Sequence, residues 1–262
     1  MLILPDVRTR SRARLRPAVL RVCGHLPGRA AGATLTGLRV LLVTDVVART
    51  AEMFGVTVLT AVVTGAAGDD RAVPRAGDVA ALGIRPAPAW PDDQEAGRRL
   101  GGPLGVHVTG PSPGSDPDSG GIVVGVGGVR ETGSGGAGAP ADGIGLPGMP
   151  DPLAVRLALL SVPADQPVIL TATAVADAAS TLRQWRLLVA GWAEEPSRPM
   201  PVAVRERLRE ALGGLRTRTA LDLLADLAAD ETTPPGAKFE TFAYADLVLG
   251  LELVRDIGGP RP

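Results

Sequence analysis

Ala18-Val-Leu-Arg-Val-Cys23 and Val56-Thr-Val-Leu-Thr-Ala-Val-Val63 are two short apolar runs, the second bounded by Gly55 and Gly65. Between them Leu35, Leu38, Leu41, Leu42, Asp45, Val46 and Arg49 recur at helical spacing. Strand, helix of about 18 residues, strand is a βαβ unit, and a crossover of that kind joins parallel strands with its helix on one face of the sheet. Ligands in such sheets sit beyond the carboxyl ends of the strands, which here means the stretch from Cys23 to Gly37.

Working outward, Leu104–Val108 and Ile122–Val126 read as two further short strands, in a region dominated by Gly, Pro, Ser and Asp. The stretches 110–121 and 132–150 read as poorly ordered loops on composition. After Pro150 the pattern turns helical. Asp151-Pro152 makes a helix start, and further helices are expected around 171–193, 201–213, 217–230 and 236–256, with short Gly- and Pro-containing connections. The expected architecture is therefore α/β: a small doubly wound, Rossmann-like parallel-sheet domain followed by an all-α helical bundle domain. The boundaries are a basic N-terminal arm over 1–17, the α/β domain over 18–130, a Gly/Pro-rich linker over 131–150 and the bundle over 151–257. The arm carries Arg8, Arg10, Arg12, Arg14 and Arg16, five like charges that repel unless something anionic lies beside them.

A chain of 262 residues with 45% hydrophobic content can bury a sizeable core, and its net charge of -1 excludes a surface that is basic throughout, so any RNA contact is local. The single cysteine, Cys23, excludes an internal disulfide framework and a site built from several thiolates. No apolar run approaches the roughly 20 residues that a membrane helix needs, so the expectation is a cytoplasmic protein with no membrane partner. Lys238 is the only lysine, and basic charge is otherwise carried by arginine.

Four segments carry a resemblance. Gly236-Ala-Lys-Phe-Glu-Thr-Phe-Ala-Tyr-Ala-Asp246-Leu-Val-Leu-Gly-Leu-Glu-Leu253 and Asp151-Pro-Leu-Ala-Val-Arg-Leu-Ala-Leu-Leu160 lie in the helical half. Val22-Cys23-Gly24 with the helix bearing Arg39 and Asp45, and Asp78-Val-Ala-Ala-Leu-Gly-Ile-Arg-Pro86, lie in the first half. They resemble segments of the cysteinyl-tRNA synthetases, class I aminoacyl-tRNA synthetases, and of the related cysteine ligases of mycothiol synthesis. The resemblance implies a shortened, degenerate nucleotide-binding α/β framework and a helical domain of the kind that binds tRNA. It implies ATP as the cofactor, and it implies zinc at the Cys23 position only if further ligands exist.

The signatures of that family are altered here. Two histidines that stabilise charge on the ATP phosphates are replaced by Thr34 and Gly37, in the opening Thr34-Leu-Thr36-Gly37-Leu-Arg39. The mobile lysines of the second signature give way to Arg130-Glu-Thr-Gly-Ser134, where Glu131 has the wrong sign for holding triphosphate. Candidate nucleotide contacts are Thr34, Thr36, Gly37, Arg39, Arg130, Thr132 and Ser134, and no residue is assigned a catalytic role. Zinc is not expected, because Cys23 has no second cysteine beside it and only His25, His107 and some carboxylate could complete a site. A hydrolase built on Cys23 and His25 is not expected either, since nothing in the sequence supplies an orienting carboxylate. Arg183, Arg186, Arg216 and Arg218 are candidate RNA contacts on the helical half, although interspersed Glu and Asp give that face the look of ordinary solvated surface. The leading expectation is a pseudo-synthetase that has lost aminoacylation and serves as an RNA- or nucleotide-binding or regulatory module. The alternatives are a divergent ATP-dependent ligase forming an aminoacyl-adenylate of cysteine or another small acid, with Arg39 and Arg130 replacing the usual cations, and a protein-interaction subunit.

Overall fold

A computed structural model describes residues 1–28, 33–65, 73–111, 120–131 and 149–259. The chain opens with a hairpin, β1 (Leu2–Asp6) and β2 (Ser11–Leu15), paired antiparallel with Leu2 opposite Leu15. The stretch read as a basic arm is thus a built element. Alternation along β1 turns Leu2 and Leu4 into the core, while the arginines of β2 stay in water.

The main sheet contains β3 (Val19–His25), β4 (Thr57–Val63), β5 (Ala89–Trp90), β6 (Val106–Thr109) and β7 (Ile122–Gly125), hydrogen-bonded in the order β5-β4-β3-β6-β7. Every pairing is parallel. Counted from β3, this is the 3-2-1-4-5 order of a doubly wound sheet, and the winding reverses between β3 and β6. The crossover helix α1 (Ala33–Met53) covers one face, where Gly24 leaves room for it: a Cβ there would lie 2.7 Å from Thr44 Oγ1. On the opposite face α3 (Asp93–Arg99) seats Ala96 against Cys23, Ala61, Val63 and Leu104. Between β4 and β5 lies the short α2 (Ala76–Ala81).

Beyond the sheet come α4 (Leu153–Leu160), α5 (Ala172–Trp192), α6 (Val202–Gly213), α7 (Thr217–Ala229) and α8 (Pro235–Leu249). The last helix stops well short of 256, because Gly250 takes a left-handed conformation (φ 60°) and the Asp246 carboxylate accepts the N–H groups of Leu251 and Leu253. A small parallel pair, β8 (Val129–Glu131) with β9 (Val168–Leu170), is too short to show a period in the sequence. One hydrophobic core runs from Leu2 and Leu4 through Leu38, Leu42 and Val46 of α1 to Leu157, Leu224, Phe242 and Val248, so it is continuous across residue 150. The segments 112–119 and 132–148, within the stretches read as loops, lie outside the described residues.

Under that core a charged hub joins the four segments that carry the resemblance. Asp45 of α1 accepts Arg49 at 2.8 Å, Arg85 at 3.0 Å and Arg156 at 2.9 Å. Arg156, fully buried, also donates to the carbonyls of Leu82 and Leu249. Burial disfavours the Asp45 carboxylate, but the charges of Arg156 and Arg49 and the hydrogen bonds of Arg156 and Arg85 outweigh it and hold the group below the usual range. Among the described residues no helix is long and apolar enough to cross a membrane.

Candidate metal centre

Side chains two apart on a strand share a face, so Cys23 and His25 both point away from α1. The parallel register sets His107 of β6 beside Cys23, at the position where the sheet reverses its winding. The fourth member comes from α3. Asp92 caps that helix by accepting the N–H of Glu95 at 2.8 Å, and the next residue, Asp93, is thereby directed over the strand ends.

The four groups converge. His25 Nε2 lies 3.0 Å from His107 Nδ1, Asp93 Oδ1 lies 3.5 Å from His25 Nε2, and Asp93 Oδ2 lies 3.6 Å from His107 Nδ1. The ligand atoms of Cys23, His25 and Asp93 all fall within 4.8 Å of one another. Cys23 and His107 are wholly buried, and only Asp93, with 18% of its side chain exposed, reaches toward solvent. His107 Nε2 faces the carbonyl of Gly120 at 3.2 Å, and a carbonyl only accepts, so that nitrogen carries the hydrogen. Burial keeps the His107 ring neutral by lowering its pKa, with the Asp93 charge acting in the opposite sense. Nδ1 is then a lone pair aimed at the cluster, and His25 Nε2 donates to it.

This arrangement is unsuited to nucleophilic catalysis by sulfur. Burial, reinforced by the Asp93 charge, pushes the Cys23 thiol far above its ordinary range, so the reactive thiolate is suppressed. A carboxylate does stand beside the His25 ring, which sequence reading did not foresee, yet the sulfur remains protonated. A divalent ion reverses that balance, because a coordinated thiol ionises outright. Thiolate, imidazole and carboxylate are the donors zinc takes, and bonds of about 2.0–2.3 Å in a tetrahedron put ligand atoms about 3.3–3.7 Å apart. The 3.5 Å between His25 Nε2 and Asp93 falls in that range, and the Cys23 sulfur lies within 4.8 Å of both ligand atoms. The His107 Nε2–H to Gly120 contact fixes the tautomer and orientation of the ring that stands beside the three candidate donors.

Of the residues singled out for nucleotide contact, Arg39 and Thr36 are engaged by backbone groups of the protein. Arg39 is buried, and its guanidinium donates to the carbonyls of Gly127 at 2.9 Å, Pro163 at 2.8 Å, Val162 at 3.2 Å and Gln166. Burial lowers it to about 10, with Asp165 working the other way. Thr36 Oγ1 accepts the N–H of Val129 at 3.0 Å, so both side chains hold the entry to β8, and Arg39 also holds the segment that leads into β9. Gly37 is buried within α1, Thr34 is half-buried in its first turn, and Arg130 is exposed on β8. Thr132 and Ser134 lie outside the described residues.

Of the candidate RNA contacts, Arg186 is buried and holds Asp151 and the carbonyls of Leu251 and Glu252. Arg216 pairs with Glu210, and Arg218 pairs with Asp222 along its helix. Arg183 is exposed. A separate cavity of about 350 Å³ lies on the α1 face, lined by Leu41, Val62, Val79 and Ile84, and the charges at its rim, Asp45 and Arg85, already pair with each other.

Neither a protein-family model nor a curated protein matches this chain. Asp93 is the member that sequence reasoning missed; the signal available was Pro91-Asp92-Asp93, an acidic helix start placed between the two histidines in the chain.

Proposed function

We propose that this chain is a synthetase-like protein that no longer forms an aminoacyl-adenylate and acts as a binding module, with a zinc-class ion held by Cys23, His25 and Asp93 as its point of ligand contact. The observation that carries this reading is the convergence of those three side chains, with His107 beside them, at the winding reversal of the sheet. Three protein donors leave a coordination position for a ligand, as in zinc sites that act on bound molecules. When bound, the ion supplies a positive charge and an affinity for soft or anionic donor atoms. Asp93, the partly exposed member, marks the side from which a ligand enters.

The loss of adenylation is supported by Arg39. Stabilising charge on a transferring phosphate calls for a cation aimed at the developing charge, worth several kcal/mol in sites of this kind (roughly 3–4 for one donor). Here the only arginine of the α1 opening has its donors turned toward four backbone carbonyls. In this reading residues 18–130 are a degenerate nucleotide-binding domain and the helices of 151–257 are the counterpart of an all-α, RNA-binding bundle.

Two measurements test the proposal together. Zinc competition against a chromogenic chelator is expected to show one site per chain, weakened by Asp93→Asn and removed by Cys23→Ala. ATP–pyrophosphate exchange with cysteine and the other amino acids, on the zinc-loaded protein, is expected to be absent. Amino-acid-dependent exchange would overturn the non-adenylating reading, and zinc binding indifferent to Cys23 would overturn the metal centre.

A further inference from the structure

The arginines of the N-terminal hairpin form a second constellation, remote in character from the buried metal centre. Arg12, Arg14 and Arg16 alternate along β2 and its end, so all three project from one face, and all three are exposed. Residues two apart on an antiparallel strand stand about 6.8 Å from each other. That is close to the spacing of successive phosphates along a nucleic-acid strand. Among the described residues none of these three arginines meets a carboxylate; the one contact Arg16 makes is to the sulfur of Met1. Like charges at such spacing repel.

The helical region extends this face. A Cβ on Gly214 would lie 3.6 Å from Arg12 Nη1 and 3.5 Å from Arg216 Nη1, so two guanidiniums from opposite ends of the chain flank one point. Arg216 keeps one bond to Glu210, at 2.9 Å, the carboxylate nearest this face among the described pairs. At the other end Arg209 lies 4.7 Å over the Phe54 ring. The outward neighbours on β1 are Ile3 and Pro5, and the Phe54 ring is covered by Arg209.

We propose that this edge binds a single-stranded nucleic acid through its phosphates, with Arg12, Arg14 and Arg16 taking successive phosphates and Arg216 adding a contact beside Arg12. A regular row of charges fits a regularly charged polymer, and contacts made to phosphates alone carry no base identity. The inference does not depend on the metal centre.

The test is fluorescence anisotropy of the full chain with a labelled oligouridylate 12-mer between 25 and 200 mM salt. Three to five neutralised phosphates predict a log–log salt slope of roughly -2 to -3.5, at about 0.7 per phosphate for single strands. The Arg12→Gln/Arg14→Gln/Arg16→Gln variant, whose changes lie on exposed positions, is expected to reduce the slope by about 2 and to weaken low-salt binding at least tenfold, with unfolding unchanged. Arg183→Gln, chelator-treated protein and an oligothymidylate of equal length are each expected to behave as wild type with oligouridylate does. Absence of binding at 25 mM salt, a slope unchanged in the triple variant, an equal loss in Arg183→Gln, or competition by polyglutamate at equal charge concentration would each overturn the proposal.

Discussion

Replacing Arg39 by Met separates a clamp from a phosphate ligand. Its guanidinium holds four carbonyls, those of Gly127, Val162, Pro163 and Gln166, on two segments brought together from distant parts of the chain. Hydrogen bonds from a charged donor contribute about 1.5–3 kcal/mol each. Two effects reduce the sum. Removing a buried cation recovers several kcal/mol of desolvation, and the carbonyls of Pro163 and Gln166 lie on exposed residues where water can replace the lost donor. The carbonyl of buried Gly127 has no such substitute. The net loss is then about 2–4 kcal/mol, which at about 2–4 °C per kcal/mol for chains of this size lowers Tm by roughly 5–15 °C. Urea unfolding followed by tryptophan fluorescence reads it directly. Arg39→Lys keeps the charge but cannot span four acceptors, and should recover less than half of the loss. An Arg39→Met protein within about 0.5 kcal/mol of wild type would refute the clamp and return Arg39 to the list of cations available to a phosphate.

The hub under α1 makes three further predictions. Asp45→Asn leaves the wholly buried Arg156 without its counter-charge and should cost about 3–5 kcal/mol by urea unfolding. Because the Asp45 carboxyl is held below its unfolded value near 4, its contribution is complete above about pH 4–5 and is lost as pH falls through the lowered folded value. Wild type should therefore shed stability in that window, and Asp45→Asn should follow a flatter course there. Gly250→Ala forces a left-handed residue and sets a Cβ 2.8 Å from Arg156 Nη2, for an expected loss of about 1–3 kcal/mol by thermal unfolding.

Much of the fold is legible in the chain because its elements are long enough to show a period. The βαβ unit of residues 18–63 and the five helices after Pro150 follow apolar spacing, with only the end of the last helix misplaced by it. What escapes is governed by contacts between distant segments. The β8–β9 pair has three residues on each side, and the end of α8 is decided by one left-handed glycine and one carboxylate. The N-terminal arginines read as a loose arm because like charges hide the alternation of Leu2 and Leu4, which ties the hairpin down.

The site was legible by composition and not by position. Cys23, His25 and His107 are visible as potential donors, but only the register of β3 with β6 sets His107 beside Cys23, and only the cap at Asp92 aims Asp93 at them. Arg39 shows the opposite failure. A basic residue in the first turns after a strand suggests phosphate, and its actual partners, the carbonyls of 127 and 162–166, cannot be inferred from spacing. Segments read separately in the sequence, around Asp45, Arg85, Arg156 and Leu249, meet in one hydrogen-bonded hub.

The most direct test of the metal centre is the absorption spectrum of the protein loaded with Co(II) in place of zinc. A Cys23, His25 and Asp93 site predicts one cobalt per chain, a tetrahedral d–d band and a thiolate-to-cobalt charge-transfer band that disappears in Cys23→Ser. Octahedral, thiolate-free cobalt, or a spectrum that Cys23→Ser leaves unchanged, would contradict the account.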